Sequence, residues 1–189
     1  MSKNLNQNPM KVITGPSTRW SYANVWESKS INGGTPKFSV SLIVPKSDTK
    51  TLDKIKAAIE AAYNEGQGKL KGNGKSVPPL STLKQPLRDG DLERPDDADY
   101  ANSYFINANS ATQPGIVDSN LDPIIERSEV YSGVYGRASI SFYAFNSNGN
   151  KGIACGLNNL QKIKDGESLG GRTRAEDDFS TSVDEDFLS

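Results

Sequence analysis

The sequence predicts a mainly β protein: a small antiparallel barrel with one main α-helix and a disordered acidic C-terminal tail. Three observations carry that prediction. Short stretches of alternating apolar and polar residues recur between Gly, Pro and Asn/Asp turns. A single segment, residues 48–65, keeps a convincing helical period over several turns. The charge is also uneven. Residues 165–189 hold eight acids against Arg172 and Arg174, a net −6, which leaves +5 on the rest of a chain whose total is −1. The division expected is a flexible N-terminus at residues 1–10, one domain at 11–164 and the tail at 165–189.

Residues 11–13 begin a strand that Gly15-Pro16 breaks. Residues 18–27, TRWSYANVWE, form an aromatic-rich strand with a bulge at Ala23-Asn24. Gly33-Gly34 turns the chain into residues 37–44, where Phe38, Val40, Leu42 and Val44 share one face and Pro45 stops the run. In residues 48–65, Ser47 or Asp48 caps a helix whose stripe is Leu52, Ile55, Ile59 and Ala62, and Gly66 ends it. One amphipathic helix after two strands suits a plug for a small barrel better than a crossover in a parallel sheet.

Residues 66–90 are rich in Gly and Pro and carry Lys69, Lys71, Lys75, Lys84 and Arg88 with no acid before Asp89, the composition of a mobile basic arm. Residues 89–99 reverse the sign, with six acids against Arg94, and read as a solvated loop. Two more strands follow at 103–109 and 115–117, then a turn at 118–122 and a helical turn within 122–129.

Residues 130–164 organise the rest: a long strand, an Asn/Gly turn and a second strand. In the first strand Val134, Ala138, Ile140, Phe142 and Ala144 share one parity and make a core face, interrupted by Gly136. The other parity holds Tyr135, Arg137, Ser139, Ser141, Tyr143 and Phe145, an unusual finish for a merely solvated surface.

Several function classes fall away. The chain has no histidine, which removes His-based acid–base catalysis, Ser-His-Asp triads and imidazole metal ligands. Its one cysteine, Cys155, lies in an apolar strand and reads as a buried structural thiol. The acids at 89–99 lack the spacing and glycine of a calcium loop, and Glu27-Ser28-Lys29 has no preceding acid to share a nuclease metal. No cofactor, no catalytic residue and no membrane segment is expected, and a cytoplasmic location is.

The positive chemistry is that of single-stranded nucleic acid, which needs cations along a backbone and flat side chains for bases. Tyr135 and Tyr143 are the stacking candidates, with Arg137 between them; Phe105 and Asn107 extend the platform, and Lys69, Lys71 and Lys75 reach phosphates. Trp20, Tyr22 and Trp26 fit either the core or a DNA-facing position. In the tail, Asp184, Glu185 and Asp186 run into Phe187 and Leu188, a pattern able to dock in a partner's pocket or to mimic DNA in the protein's own groove.

Four stretches together resemble a known family: RWSYANVWE (19–27), PKFSVSLIVPKSD (36–48), the helix at 55–63 and SGVYGRASISFYAFNSNGNKGIACGLNNLQKIKDG (132–166). They are similar to the phage single-stranded DNA-binding proteins with a modified OB-fold. The resemblance implies sequence-independent binding of single strands in phage replication, recombination or repair, in the host cytoplasm. It also implies that the tail recruits a polymerase, helicase or primase, although its Phe187-Leu188-Ser189 ending departs from the bacterial Pro-Phe terminus. A β-rich virion structural or assembly protein is the alternative that the low apolar content and the Asn/Gly/Ser-rich loops allow.

Overall fold

A computed structural model describes residues 8–30 and 33–169. Its elements are β1 (Lys11–Ile13), β2 (Arg19–Lys29), β3 (Lys37–Pro45), α1 (Thr49–Glu65), α2 (Gln67–Lys71), β4 (Leu87–Asp89), α3 (Gly90–Glu93), β5 (Ser103–Ser110), β6 (Gly115–Val117), β7 (Tyr135–Ser147) and β8 (Asn150–Lys164). Met10, just ahead of β1, is already part of the fold: its carbonyl accepts a hydrogen bond from the Phe142 amide.

Five strands follow one another around a ring, β7–β2–β3–β5–β8 and back to β7, while β1, β6 and β4 pair on the outsides of β7, β8 and β5. The ring is unevenly sewn. β3 and β5 pair without interruption from Phe38↔Ser110 to Pro45↔Ser103, and β7 and β8 from Tyr135↔Lys164 to Ser147↔Asn150 with two register shifts. Between β2 and β7 there is one ladder pair, Arg19↔Tyr135, extended by backbone bonds from Gly136 to Thr18, from Trp20 to Val134 and from Gly133 to Trp20, and between β5 and β8 a single parallel pair, Asn109↔Gly156. The mainly β, OB-like architecture is as expected, but it is a sheet ring with one parallel seam rather than a continuously laddered antiparallel barrel.

The alternation read in residues 134–144 holds: Val134, Ala138, Ile140, Phe142 and Ala144 are all buried. They meet Val40, Leu42 and Val44 of β3 and the α1 stripe in one core cluster. Gly136 interrupts that row because the Trp20 ring lies where its side chain would stand. Trp20 is fully buried and its Nε1 donates to the Gly136 carbonyl at 3.1 Å. Cys155 is buried, and that burial pushes its thiol pKa well up, the behaviour of an inert core thiol.

At the start of α1 the Asp48 carboxylate accepts from the Thr51 amide at 3.2 Å and from the Thr51 hydroxyl at 2.7 Å. The same hydroxyl oxygen accepts from the Gly15 amide at 3.0 Å, so the helix cap also pins the turn between β1 and β2.

Residues 66–90 correct one expectation. They are a folded connection rather than a loose arm: α2 buries Leu70 completely, and Asn146 at the β7–β8 turn donates to the Lys69 carbonyl at 3.0 Å. The acids of residues 89–99 likewise have structural work. Asp89 and Asp97 cap α3 and the 3₁₀ turn after it, Asp89 and Asp91 clasp Lys46, and Glu93 and Asp97 pair with Arg88 and Arg94. The Lys46 hydrogen bond holds the Asp91 carboxyl below the ordinary carboxylate range.

Candidate nucleic-acid interface

The outward face of the ring is built from paired positions. Because β3 and β5 are in register, Ser39 faces Asn109, Ser41 faces Asn107 and Ile43 faces Phe105. Alternate residues share a face, so the three pairs form successive steps about 7 Å apart. Two depressions, of about 590 and 480 Å³, meet over the polar steps, and both are lined by Asn107 and Asn109. Together they make one groove across β5.

Cations stand at both ends. At one end Lys29 and Lys37 line the groove and are direct partners across β2 and β3. Like charges placed opposite one another on a sheet destabilise it, and an anion between them reverses the sign of that term. At the other end are Lys84 and Arg88, the latter shared with Glu93 at 2.6 Å. Lys84 is held against β8, its amide donating to the Lys151 carbonyl and its carbonyl accepting from Ile153.

One wall carries Tyr22, an aromatic residue that the sequence left open between a core and a DNA-facing position. β2 shifts register between Ser21 and Asn24, near the expected bulge, and within it Tyr22 takes φ +47°. That left-handed turn directs Tyr22 outward, 57% exposed, although Trp20 of the same parity is buried. The Arg94 guanidinium donates to the Tyr22 hydroxyl at 2.9 Å, lies 5.4 Å from its ring centroid and sits 4.4 Å from that of Tyr100. A strained, exposed aromatic residue braced by an arginine is a feature that ligand sites concentrate.

Tyr143 is 45% exposed and stands next to Gly156, which pairs with Asn109. It lines neither depression itself; the aromatic residue of its parity on β7 that does is Phe145. Asn107 is part of that floor, as its parity suggests.

The other expected residues lie differently. Tyr135 is half-buried at the far end of β7, its ring 5.1 Å from the Arg19 guanidinium and 4.8 Å from the Lys164 ammonium. Arg137 is exposed, donates to Gln161 at 2.8 Å and borders a separate shallow hollow of about 160 Å³ with Ile13 and Leu121. Eight residues of extended strand, roughly 27 Å, separate Tyr135 from Tyr143, so they do not form one platform.

Phe105 is the clear departure from expectation. It is 2% exposed and packs edge-on against Tyr100, with centroids 5.1 Å apart at 84°. Arg88 covers it at 5.3 Å and Leu169 packs on the same small cluster. Parity alone placed it outward correctly but could not show that later chain segments cover it. Lys69, Lys71 and Lys75 are exposed, with Lys69 and Lys71 held by their carbonyls near the β7–β8 turn and Lys151. The tail residues Asp184, Glu185, Asp186 and Phe187 lie outside the described residues. Among the described residues no group of three or more acids or thiols is placed to hold a metal ion.

Comparison with known proteins identifies the fold and the family. Protein p50 of Acyrthosiphon pisum secondary endosymbiont phage 1 is 29% identical over 185 residues, spanning 92% of this chain and 96% of that protein. The single-stranded DNA-binding protein of bacteriophage Enc34, solved in complex with ssDNA, superimposes with a TM-score of 0.72 at 23% identity, over 85% of this chain and 90% of that one. Gp2.5, the single-stranded DNA-binding protein encoded by bacteriophage T7, shares the fold with a TM-score of 0.55 at 14% identity, over 92% and 96% of the two chains. The family model described as Enterobacter phage Enc34, ssDNA-binding protein matches residues 10–188, and the chain belongs to that phage ssDNA-binding protein family.

Proposed function

We propose that the chain binds single-stranded DNA without sequence preference, with bases stacked on Tyr22 and Tyr143 and phosphates near Lys29, Lys37 and Lys84. The observation that carries this reading is the facing Lys29–Lys37 pair at the mouth of a polar groove walled by the exposed Tyr22, with the exposed Tyr143 nearby beside Gly156. Stacking contributes roughly 1–3 kcal/mol per base and accepts any base, since each has a π face. The Asn107 and Asn109 side chains of the floor offer donors and acceptors to whichever base edge lies above them. Family membership and the Enc34 relative's complex with ssDNA support the same ligand.

On this reading the protein protects or presents single strands during phage DNA replication, recombination or repair in the host cytoplasm. The tail, through Asp184, Glu185, Asp186 and Phe187, recruits a polymerase, helicase or primase and competes with DNA for the groove. Its acids and terminal apolar residues, set against the basic body, support that part.

The test is fluorescence anisotropy with single- and double-stranded oligonucleotides across a salt series. About three to five phosphate contacts predict a log–log salt slope of about −2 to −3.5 for a single strand. Equal affinity for both forms, or no binding at low salt, refutes the reading.

A further inference from the structure

The third step of the groove floor is apolar where the first two are polar. Ile43 and Phe105 face each other outward from β3 and β5, one step beyond Ser41 and Asn107, and with Tyr100 they form a small cluster separate from the main core. Arg88 lies over Phe105 and Arg94 over Tyr100, and the chain that follows β8 adds the apolar cover. Residues 165–169 run back along the lead-in to β7 and set Leu169 against the patch.

This strap is tied down by named contacts. The Leu169 amide donates to the Ser132 carbonyl at 2.8 Å. The Arg19 guanidinium donates to the Glu167 carbonyl at 2.7 Å and to the Gly133 carbonyl at 3.2 Å. The Tyr131 hydroxyl donates to the Gly166 carbonyl at 2.8 Å. The approach is close enough to require glycine on both sides. Gly133, at φ +125°, lies against the Glu167 carbonyl, and Gly166 lies against the Gly133 carbonyl, so that a side chain at either position would collide with backbone.

We propose that the Ile43–Phe105–Tyr100 step is a third base subsite, shut in the unliganded protein by the strap, so that a strand long enough to reach it displaces Leu169. The inference rests on the groove being the DNA site. It gives a role to the covered Phe105 and to Arg19, whose guanidinium holds the strap by backbone carbonyls that a phosphate replaces as the stronger acceptor. The latch is apolar, so its effect is distinct from any electrostatic competition by the acidic terminus.

The experiment compares the full-length chain with Leu169→Ala on a short and a long oligothymidylate, together with hydrogen exchange of the Leu169 amide in the unmodified protein. Removing the leucine is expected to tighten binding of the long strand about five- to tenfold and to leave the short one unchanged. The Leu169 amide is expected to lose protection when the long strand saturates the unmodified chain, and to keep it with the short one. Equal affinity of the two chains for the long strand, or an amide that stays protected in the saturated complex, overturns the proposal. Should Leu169→Ala fail to fold, the exchange measurement decides alone. Failure of both chains to bind either strand removes the DNA reading of the groove, and the latch with it.

Discussion

Replacing Tyr22 with glycine should move stability and DNA affinity in opposite directions. Tyr22 sits at φ +47°, a conformation that costs a non-glycine residue roughly 1–2 kcal/mol. Glycine removes that cost. What it forfeits is the 2.9 Å bond from Arg94, exposed to water and so worth at most about 1 kcal/mol, and little apolar burial, because the ring is 57% exposed. The net change in stability therefore lies between about zero and +1 kcal/mol, a rise of up to roughly 4 °C in melting temperature for a domain of this size. Affinity for single strands should meanwhile fall by the roughly 1–3 kcal/mol of one stacked base, about five- to 150-fold. Thermal melting and anisotropy on the same preparation measure both quantities. Tyr22→Phe serves as the control, keeping the stack and losing only the hydroxyl. A Tyr22→Gly protein that melts several degrees lower and binds DNA as before would show that Tyr22 is structural and that the strained turn serves the fold.

Three further outcomes follow from the same geometry. Tyr143→Ala should weaken binding about five- to 150-fold with an unchanged melting temperature, and should account for most of the loss in a Tyr135/Arg137/Tyr143 triple alanine variant, because Tyr135 and Arg137 lie away from the groove; equal contributions from all three would relocate the site along β7. Lys29→Glu turns a like-charge pair into an ion pair with Lys37, so it should raise stability by roughly 0.2–1 kcal/mol and lower DNA affinity while flattening its salt slope, all read in one salt series. Deleting residues 176–189 should tighten DNA binding and abolish capture of a purified phage polymerase or helicase, and if both are unaltered the tail does no more than keep the protein soluble.

Much of the fold is legible in the sequence because its signals are local. The parity of Val134 to Ala144, the cap at Asp48 and the turn at Gly66 depend on residues a few positions apart, and the structure keeps all three. The interface is less legible because its decisive features are not local. Tyr22 and Trp20 have the same parity, and only the bulge between Ser21 and Asn24 sends one outward and the other in. Phe105 has the parity of a platform residue, yet Tyr100 and Leu169 arrive from elsewhere in the chain to cover it. Residues 66–90 have the composition of a linker, and the burial of Leu70 against the body makes them a folded connection. The acids of residues 89–99 look like surface filler until Lys46, Arg88 and Arg94 are seen beside them.

The single-rung seam between Asn109 and Gly156 has a bearing on when the protein becomes competent during synthesis. Its two strands are 47 positions apart, and contacts of such separation form late because loop closure must precede them. Gly156, Tyr143 and the strap all lie in the final third of the described chain, so a nascent protein halted after β6 has β3, β5 and the Lys29–Lys37 pair but neither the second wall nor the floor's last joint. The groove is thus complete only once β8 has been made, and a chain cut short before it carries the paired lysines without the far wall or the seam.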